Sequence, residues 1–238
     1  MSDLEICVQA YEGNLTKLST VFQNDPKKAT TVDKAGRSPL HWGALGGHLE
    51  IVKLICNVEG CDVNAGDLSG WTPLMLAVSA GRDAVADYLI AEQSANVNAI
   101  NSTGQCSLHY AASKNRLHLI DSLLKANAKV TLRDWGGSSP LHRAITKGNV
   151  EVARRILTVV DESSSQAAVS LIALGDGEGN TALHYACEEN DLEAVRLLMN
   201  YGGSMSWTNK VKWECQIQFT SELCPVQCPQ SMLSELVQ

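Results

Sequence analysis

No run of eighteen consecutive apolar residues occurs anywhere in the 238 residues, so the sequence lacks the stretch that a membrane-spanning helix requires. The first twenty residues lack the basic start and continuous apolar core of a secretory signal, because Asp3, Glu5 and Glu12 interrupt them. A soluble chain that stays inside the cell, in cytoplasm and nucleus, is therefore expected. Positive charge is also scarce. Lys and Arg number 19 against 26 Asp and Glu, a net charge of −7, and sequence-independent nucleic-acid binding draws its affinity mainly from cations that neutralise phosphates. A P-loop is missing, and so is any His beside Cys215, Cys224 and Cys228, whose spacing falls short of a closed thiolate metal set. The eight cysteines are scattered, which suits free thiols rather than a disulfide framework. Neither a cofactor nor a metal is expected.

What the sequence does have is repetition. Ser38-Pro39-Leu40-His41, Thr72-Pro73-Leu74-Met75, Cys106-Ser107-Leu108-His109, Ser139-Pro140-Leu141-His142 and Thr181-Ala182-Leu183-His184 recur at separations of 34, 34, 33 and 42 residues. Each is preceded at constant offset by an Asp or Asn and then a Gly: Asp33/Gly36, Asp67/Gly70, Asn101/Gly104, Asp134/Gly137 and Asp176/Gly179. This is turn chemistry, since Asp and Asn side chains bond nearby backbone amides and Gly accepts positive φ. A small residue follows each motif (Gly43, Ala77, Ala111, Ala144, Ala186), and then a second apolar stretch such as Glu50-Ile51-Val52-Lys53-Leu54-Ile55. The spacing predicts two short antiparallel helices per unit, with the small residues allowing close approach.

A β-turn, two helices and a Thr-Pro-Leu-His signature resemble the ankyrin-repeat family. The resemblance implies an all-α solenoid of about six helix-turn-helix repeats with β-turn fingers, spanning 1–209, with repeats near 3–32, 33–66, 67–100, 101–133, 134–175 and 176–208. The first unit lacks the signature but keeps Gly13-Asn14-Leu15 and Leu18, Val21 and Phe22, as an end unit would. The 42-residue interval predicts an inserted loop near Asp161-Glu162-Ser163-Ser164-Ser165-Gln166. From 210 to 238 the finger signature is absent, and an irregular tail is expected.

Within that family, Trp71-Thr72-Pro73-Leu74, Ser79-Ala80-Gly81-Arg82-Asp83, Val97-Asn98-Ala99-Ile100-Asn101 and His109-Tyr110-Ala111-Ala112-Ser113-Lys114-Asn115-Arg116 are similar to the gankyrin-like chaperones of the proteasome regulatory particle. That resemblance implies a non-enzymatic protein that binds the C-terminal domain of one ATPase subunit of the proteasome base. The rival reading is a generic ankyrin adaptor or kinase-inhibitor-like regulator, which would share the framework. Tyr185-Ala186-Cys187-Glu188-Glu189 stands where gankyrin-like proteins carry the Leu-x-Cys-x-Glu sequence associated with retinoblastoma-type pocket proteins. Tyr185 in place of the leading Leu, on a framework helix, argues against that partner.

Finger tips and the exposed side of each first helix form the concave binding surface of this fold. The residues placed there are Arg37, Trp42, Trp71, Leu76, Ser79, Arg82, Tyr110, Ser113, Lys114, Arg116, Trp135, Arg143 and Lys147. Trp, Tyr and Arg dominate binding hot spots, and local cations on an acidic chain point to an acidic partner surface. His41, His109, His142 and His184 recur once per unit, which marks them as framework groups hydrogen-bonding within and between fingers rather than converging on a reaction centre. Gly175-Asp176-Gly177-Glu178-Gly179 falls where a finger turn is expected; as a calcium loop it would need a carboxylate where Cys187 stands.

Overall fold

The computed structural model describes residues 1–211, and the expected tail beyond Val211 lies outside the described residues. Thirteen α-helices and no β-strand occur among the described residues. They pair as α1 (Asp3–Glu12) with α2 (Leu15–Asn24), α3 (Pro39–Gly46) with α4 (Leu49–Cys56), α5 (Pro73–Ala80) with α6 (Asp83–Ala91), α7 (Ser107–Ser113) with α8 (Leu117–Lys125), α9 (Pro140–Ile145) with α10 (Val150–Ser163), and α12 (Ala182–Glu188) with α13 (Leu192–Asn200). The six pairs are the repeat units expected from the sequence.

Helices this short are not stable alone, so packing between units must hold them. First helices stack in one row, α1 on α3, α3 on α5, α5 on α7, α7 on α9 and α9 on α12, and second helices stack in another. Small and apolar side chains fill the seam: Ala10, Ala44, Ala77, Ala111, Ala144 and Ala186 are fully buried, facing Ile51, Ile55, Leu89, Leu119, Leu123 and Ile156 from the second row. Ion pairs zip the outer row: Asp87 meets His118 Nε2 at 2.7 Å, Arg155 meets Asp121, and Arg154 reaches Glu193 at 3.1 Å.

The signature histidines close each finger onto the next helix. The N–H of Ser38, Cys106, Ser139 and Thr181 each donates to Nδ1 of the His three residues on, at 3.1 to 3.2 Å. Nδ1 is therefore the acceptor, and the ring proton sits on Nε2. From there His41 donates to Trp71 O, His109 to Ser138 O and His142 to Asn180 O, each at 3.1 Å, crossing to the following finger. Burial pushes the imidazoles of His41, His109 and His142 below the ordinary histidine pKa, as befits neutral framework groups.

The expected loop insertion is corrected by the structure. The polar run is helical on both sides of a single joint at Ser164: α10 continues to Ser163, and α11 (Ser165–Ile172) folds back on it. Ala168, Leu171 and Ile172 explain this, because their helical spacing gives the insertion an apolar face to bury. At the other end of the array the repeat register runs slightly further than expected. Asn209 Oδ1 accepts Val211 N–H at 3.0 Å, and Lys210 N–H donates to Glu178 O at 3.0 Å, the geometry of a further finger.

Candidate protein-interaction face

The five finger residues Asp33, Asp67, Asn101, Asp134 and Asp176 organise the face. In every one, Oδ1 accepts the amides two and four residues on, at 2.8 to 3.0 Å, which closes the turn. The second side-chain atom reaches the first helix nine residues later. Trp42 Nε1 donates to Asp33 Oδ2 (2.9 Å), Asn101 Nδ2 donates to Tyr110 Oη (2.7 Å), the Arg143 guanidinium donates to Asp134 Oδ2, and Tyr185 Oη donates to Asp176 Oδ2. The third unit has Leu76 at that place, with nothing to donate, and Asp67 Oδ2 instead accepts Arg37 Nε from the preceding finger at 2.9 Å. Burial opposes ionisation of Asp33, Asp67 and Asp134, but the hydrogen bonds to each carboxylate outweigh it and hold all three below the usual carboxylate range.

This register gives several predicted surface residues an intramolecular partner. Arg37 and Arg143, two of the cations placed on the face, are ion-paired to nearly buried carboxylates, with side chains 26% and 36% exposed. Trp42 is half-buried between the Tyr11 ring (centroids 5.9 Å apart, edge-on) and the Arg37 guanidinium, 5.5 Å from the indole centroid. Trp71 lies against Tyr110 at 4.4 Å. Leu76 is 5% exposed and offers little area to a partner. Ser79 and Ser113 are half-buried on the first-helix row.

Arg82 and Arg116 are placed differently from expectation. They stand at the N-caps of α6 and α8, where each folds back over the joint of the preceding unit. Arg82 Nε donates to Leu45 O at 3.0 Å. The two arginines lie over Gly47 and Gly81, where a β-carbon would come within 2.6 Å of Arg82 Cδ and 2.5 Å of Arg116 Cζ; the φ values of +87° and +69° are what favour glycine there. Lys114 and Lys147, like Arg82, are exposed and have no ion pair among the described residues, and the two lysines alone of these lack a bond to a neighbouring unit.

Trp135 is the most exposed of the predicted aromatics at 70%, its indole N–H donating to Ser102 O at 2.8 Å. Leu68, 80% exposed, holds the equivalent place on the third unit's finger and was not singled out from the sequence. Val8 and Tyr11 were missed as well; both are more than two-fifths exposed, and they occupy in α1 the places of Trp42 and Leu45. The alignment of Gly13-Asn14 with Gly47-His48 is the signal that would have found them.

The face therefore runs from an aromatic and aliphatic end (Val8, Tyr11, Trp42) past Lys114 and Lys147 to exposed Glu188 and Glu189. It carries recognition chemistry. Its signature histidines do meet a thiol or hydroxyl, Cys106 Sγ at 3.1 Å from His109 Nδ1 and Ser139 Oγ at 2.8 Å from His142 Nδ1, but these pairs are buried as caps of the first helices and belong to the framework. Among the described residues no group of His, Cys, Asp and Glu could hold a metal, and Cys215, Cys224 and Cys228 lie outside them. Asp176 is occupied by two amides and Tyr185, as a finger turn requires. Cys187 is buried within α12, so the segment from Tyr185 to Glu188 is helical framework.

The family model for ankyrin repeats (three copies) matches residues 4–101, 59–134 and 108–210. The chain is similar to the probable 26S proteasome regulatory subunit p28 of Saccharomyces cerevisiae, 27% identical over 207 residues, covering 86% of this chain and 87% of that protein. An ankyrin repeat-containing protein of Schizosaccharomyces pombe is 32% identical over 119 residues, 49% of this chain and 51% of its own length. Mouse Rabankyrin-5 is 28% identical over 192 residues, which is 75% of this chain but 15% of that protein.

Proposed function

The chain belongs to the ankyrin-repeat family, and on that premise we propose that it is a non-enzymatic chaperone of proteasome regulatory-particle assembly, binding the C-terminal domain of one ATPase subunit of the proteasome base. The observation that carries this reading is coverage. Similarity to p28 runs along nearly the whole of both chains, whereas the match to Rabankyrin-5 takes in a small part of a much longer protein. A shared repeat explains a local match; similarity along nearly the whole of both chains favours a shared task. The mechanism is occlusion: the face of finger tips and first helices covers the ATPase surface and holds an assembly intermediate, in cytoplasm and nucleus where proteasomes are built.

Lys114 and Lys147 supply charge that steers an acidic domain, while Trp135, Leu68, Tyr11 and Trp42 supply the contact area from which hot spots are made. Calorimetric titration of the purified chain with each base ATPase C-terminal domain in turn tests the proposal. One domain is expected to bind in a one-to-one complex; a folded chain that binds none of them would refute it.

A further inference from the structure

The exposed large hydrophobic residues of the first-helix row all lie on α1 among the described residues. Ile6, Cys7, Gln9 and Ala10 are buried against the array, whereas Leu4, Val8 and Tyr11 are 63%, 41% and 47% exposed. Their spacing of four and three residues sets them in one ridge along the helix, roughly 10 Å long. At Tyr11 the ridge meets Trp42 of α3, whose ring stands edge-on to the tyrosine, so the apolar surface widens there onto the second unit.

The charge beside the ridge has one sign. Asp3, Glu5 and Glu12 are the charged residues of α1, which contains neither Lys nor Arg. Glu5 and Glu12, seven residues apart, share a side of the helix and are exposed. They hold the places of Pro39 and Gly46 in α3. Gly46 packs on α1, where a β-carbon would come within 2.7 Å of Tyr11 O, so this side of a first helix faces the preceding place in the row; in α1 it faces out of the array. Glu12 Oε2 accepts from Gln9 Nε2 (3.2 Å) and Asn14 Nδ2 (3.1 Å), neutral donors that fix the carboxylate without cancelling its charge. Neither glutamate has an ion pair among the described residues.

We propose that this ridge docks a single helix of a protein partner, amphipathic and with lysine or arginine along one edge of its apolar stripe. The inference rests on the preceding reading only for the face that meets the partner; the identity of the partner does not enter it. Two observations select the occupant. The α1 backbone is satisfied within the helix, Gly13 N–H closing it on Gln9 O, so the ridge offers no main-chain ladder to an extended segment. A helix brings its own hydrogen bonds and loses none on docking, and its apolar residues at i, i+4 and i+7 pack along the ridge. Cations on its outer edge then meet Glu5 and Glu12. The charge required is opposite to that drawn by Lys114 and Lys147, so the segment seated on the first unit is a different one from the acidic surface opposite the middle of the face.

Fluorescence anisotropy with two labelled, alanine-based helical peptides of about eighteen residues tests the site on the full-length chain. Both carry Leu at i, i+4 and i+7; one has Lys along the edge of that stripe and its twin has Glu there. The Lys peptide is expected to bind with an affinity that falls as salt rises, and the twin about tenfold or more weaker. Glu5→Gln with Glu12→Gln should weaken the Lys peptide about fivefold, and Leu4→Ser with Val8→Ser about tenfold. Glu92→Gln with Glu162→Gln removes the same charge at the ends of α6 and α10 and should leave binding unchanged. Failure of the Lys peptide to bind, equal affinity for its twin, or an equal loss from the Glu92 and Glu162 pair would overturn the proposal. The comparison of the two peptides on the unsubstituted chain decides even if a variant folds poorly. A chain that binds no ATPase domain but distinguishes the peptides keeps this inference and loses the other.

Discussion

The pairing of each finger residue with the helix residue nine positions later can be tested by exchanging one pair for another. Asp134 is 2% exposed, and its Oδ2 faces the Arg143 guanidinium; Asn101 presents an N–H to the Tyr110 hydroxyl, which accepts. Asp134→Asn keeps Oδ1 and the two turn amides from Gly136 and Ser138, both at 3.0 Å, but turns an NH2 toward a guanidinium that can only donate. A nearly buried charge-assisted bond is lost and two donors are left facing each other, so the expected destabilisation is about 1.5–3 kcal/mol. For a chain of this size that is a fall in Tm of roughly 3–12 °C. Adding Arg143→Tyr recreates the Asn101–Tyr110 pair in the fifth unit and should recover more than half of the loss. Urea unfolding followed by far-UV circular dichroism measures all three proteins, with Arg143→Tyr alone to complete the cycle, because Asp134 can also accept from a tyrosine as Asp176 does from Tyr185. Equal stability of Asp134→Asn and the parent, or a double variant no better than the single, would refute the pairing rule.

Other outcomes follow from the same framework. Since burial lowers the folded-state pKa of His41, His109 and His142, their contribution is complete above the unfolded value of about 6.5 and declines as pH falls below it. The lowered carboxyls of Asp33, Asp67 and Asp134 add a second decline below about pH 4, so a stability profile from pH 8 to 3 should fall in two stages. His118, raised by its bond to Asp87, works in the opposite sense, but it is exposed and screened, and a profile that rises on acidification to pH 5 would show the buried imidazoles misread. His109→Ala strands Cys106 N–H and Ser138 O and should cost about 2 kcal/mol or more by denaturant titration, with binding intact below the transition. Lys114→Glu with Lys147→Glu should slow association with the native partner in stopped-flow measurements, while Lys17→Glu with Lys125→Glu, on the second helices, should not; the reverse would place the face wrongly. Arg154 and Arg155 would be unsound controls, since they bridge to Glu193 and Asp121 in neighbouring units.

The repeat framework was legible because it is periodic. Asp33, Gly36 and His41 return in register, and each return predicts the same turn, cap and crossing bond. The surface was less legible, for a physical reason. Whether Arg143 is a free cation depends on a carboxylate nine residues back, and whether Leu76 is exposed depends on what stands in the adjoining unit; both are matters of register between elements rather than residue type. The stretch from Asp161 to Gln166 misled because six polar residues in sequence look like a loop, although Ala168, Leu171 and Ile172 downstream have a helical face to bury. Trp42 and Trp71 show the same limit: an indole reads alike whether it meets a partner or packs against Tyr11 or Tyr110.

Neighbouring fingers are joined by main-chain bonds, Leu68 N–H to Ala35 O, Ser102 to Ser69, Trp135 to Thr103, Gly177 to Gly136 and Lys210 to Glu178, at 2.8 to 3.0 Å. Every donor in this chain of contacts is a main-chain amide, so the ladder forms whatever side chain is attached, even though Trp135 and Lys210 each add a side-chain bond to the preceding finger. Leucine, serine, tryptophan, glycine and lysine all occupy the position in this one protein. The column that projects furthest toward a partner is thus also the one where substitution is least constrained by architecture, and a lineage can exchange one binding specificity for another there without first acquiring a stabilising change elsewhere. Proline is the exception, since it alone would remove the donor.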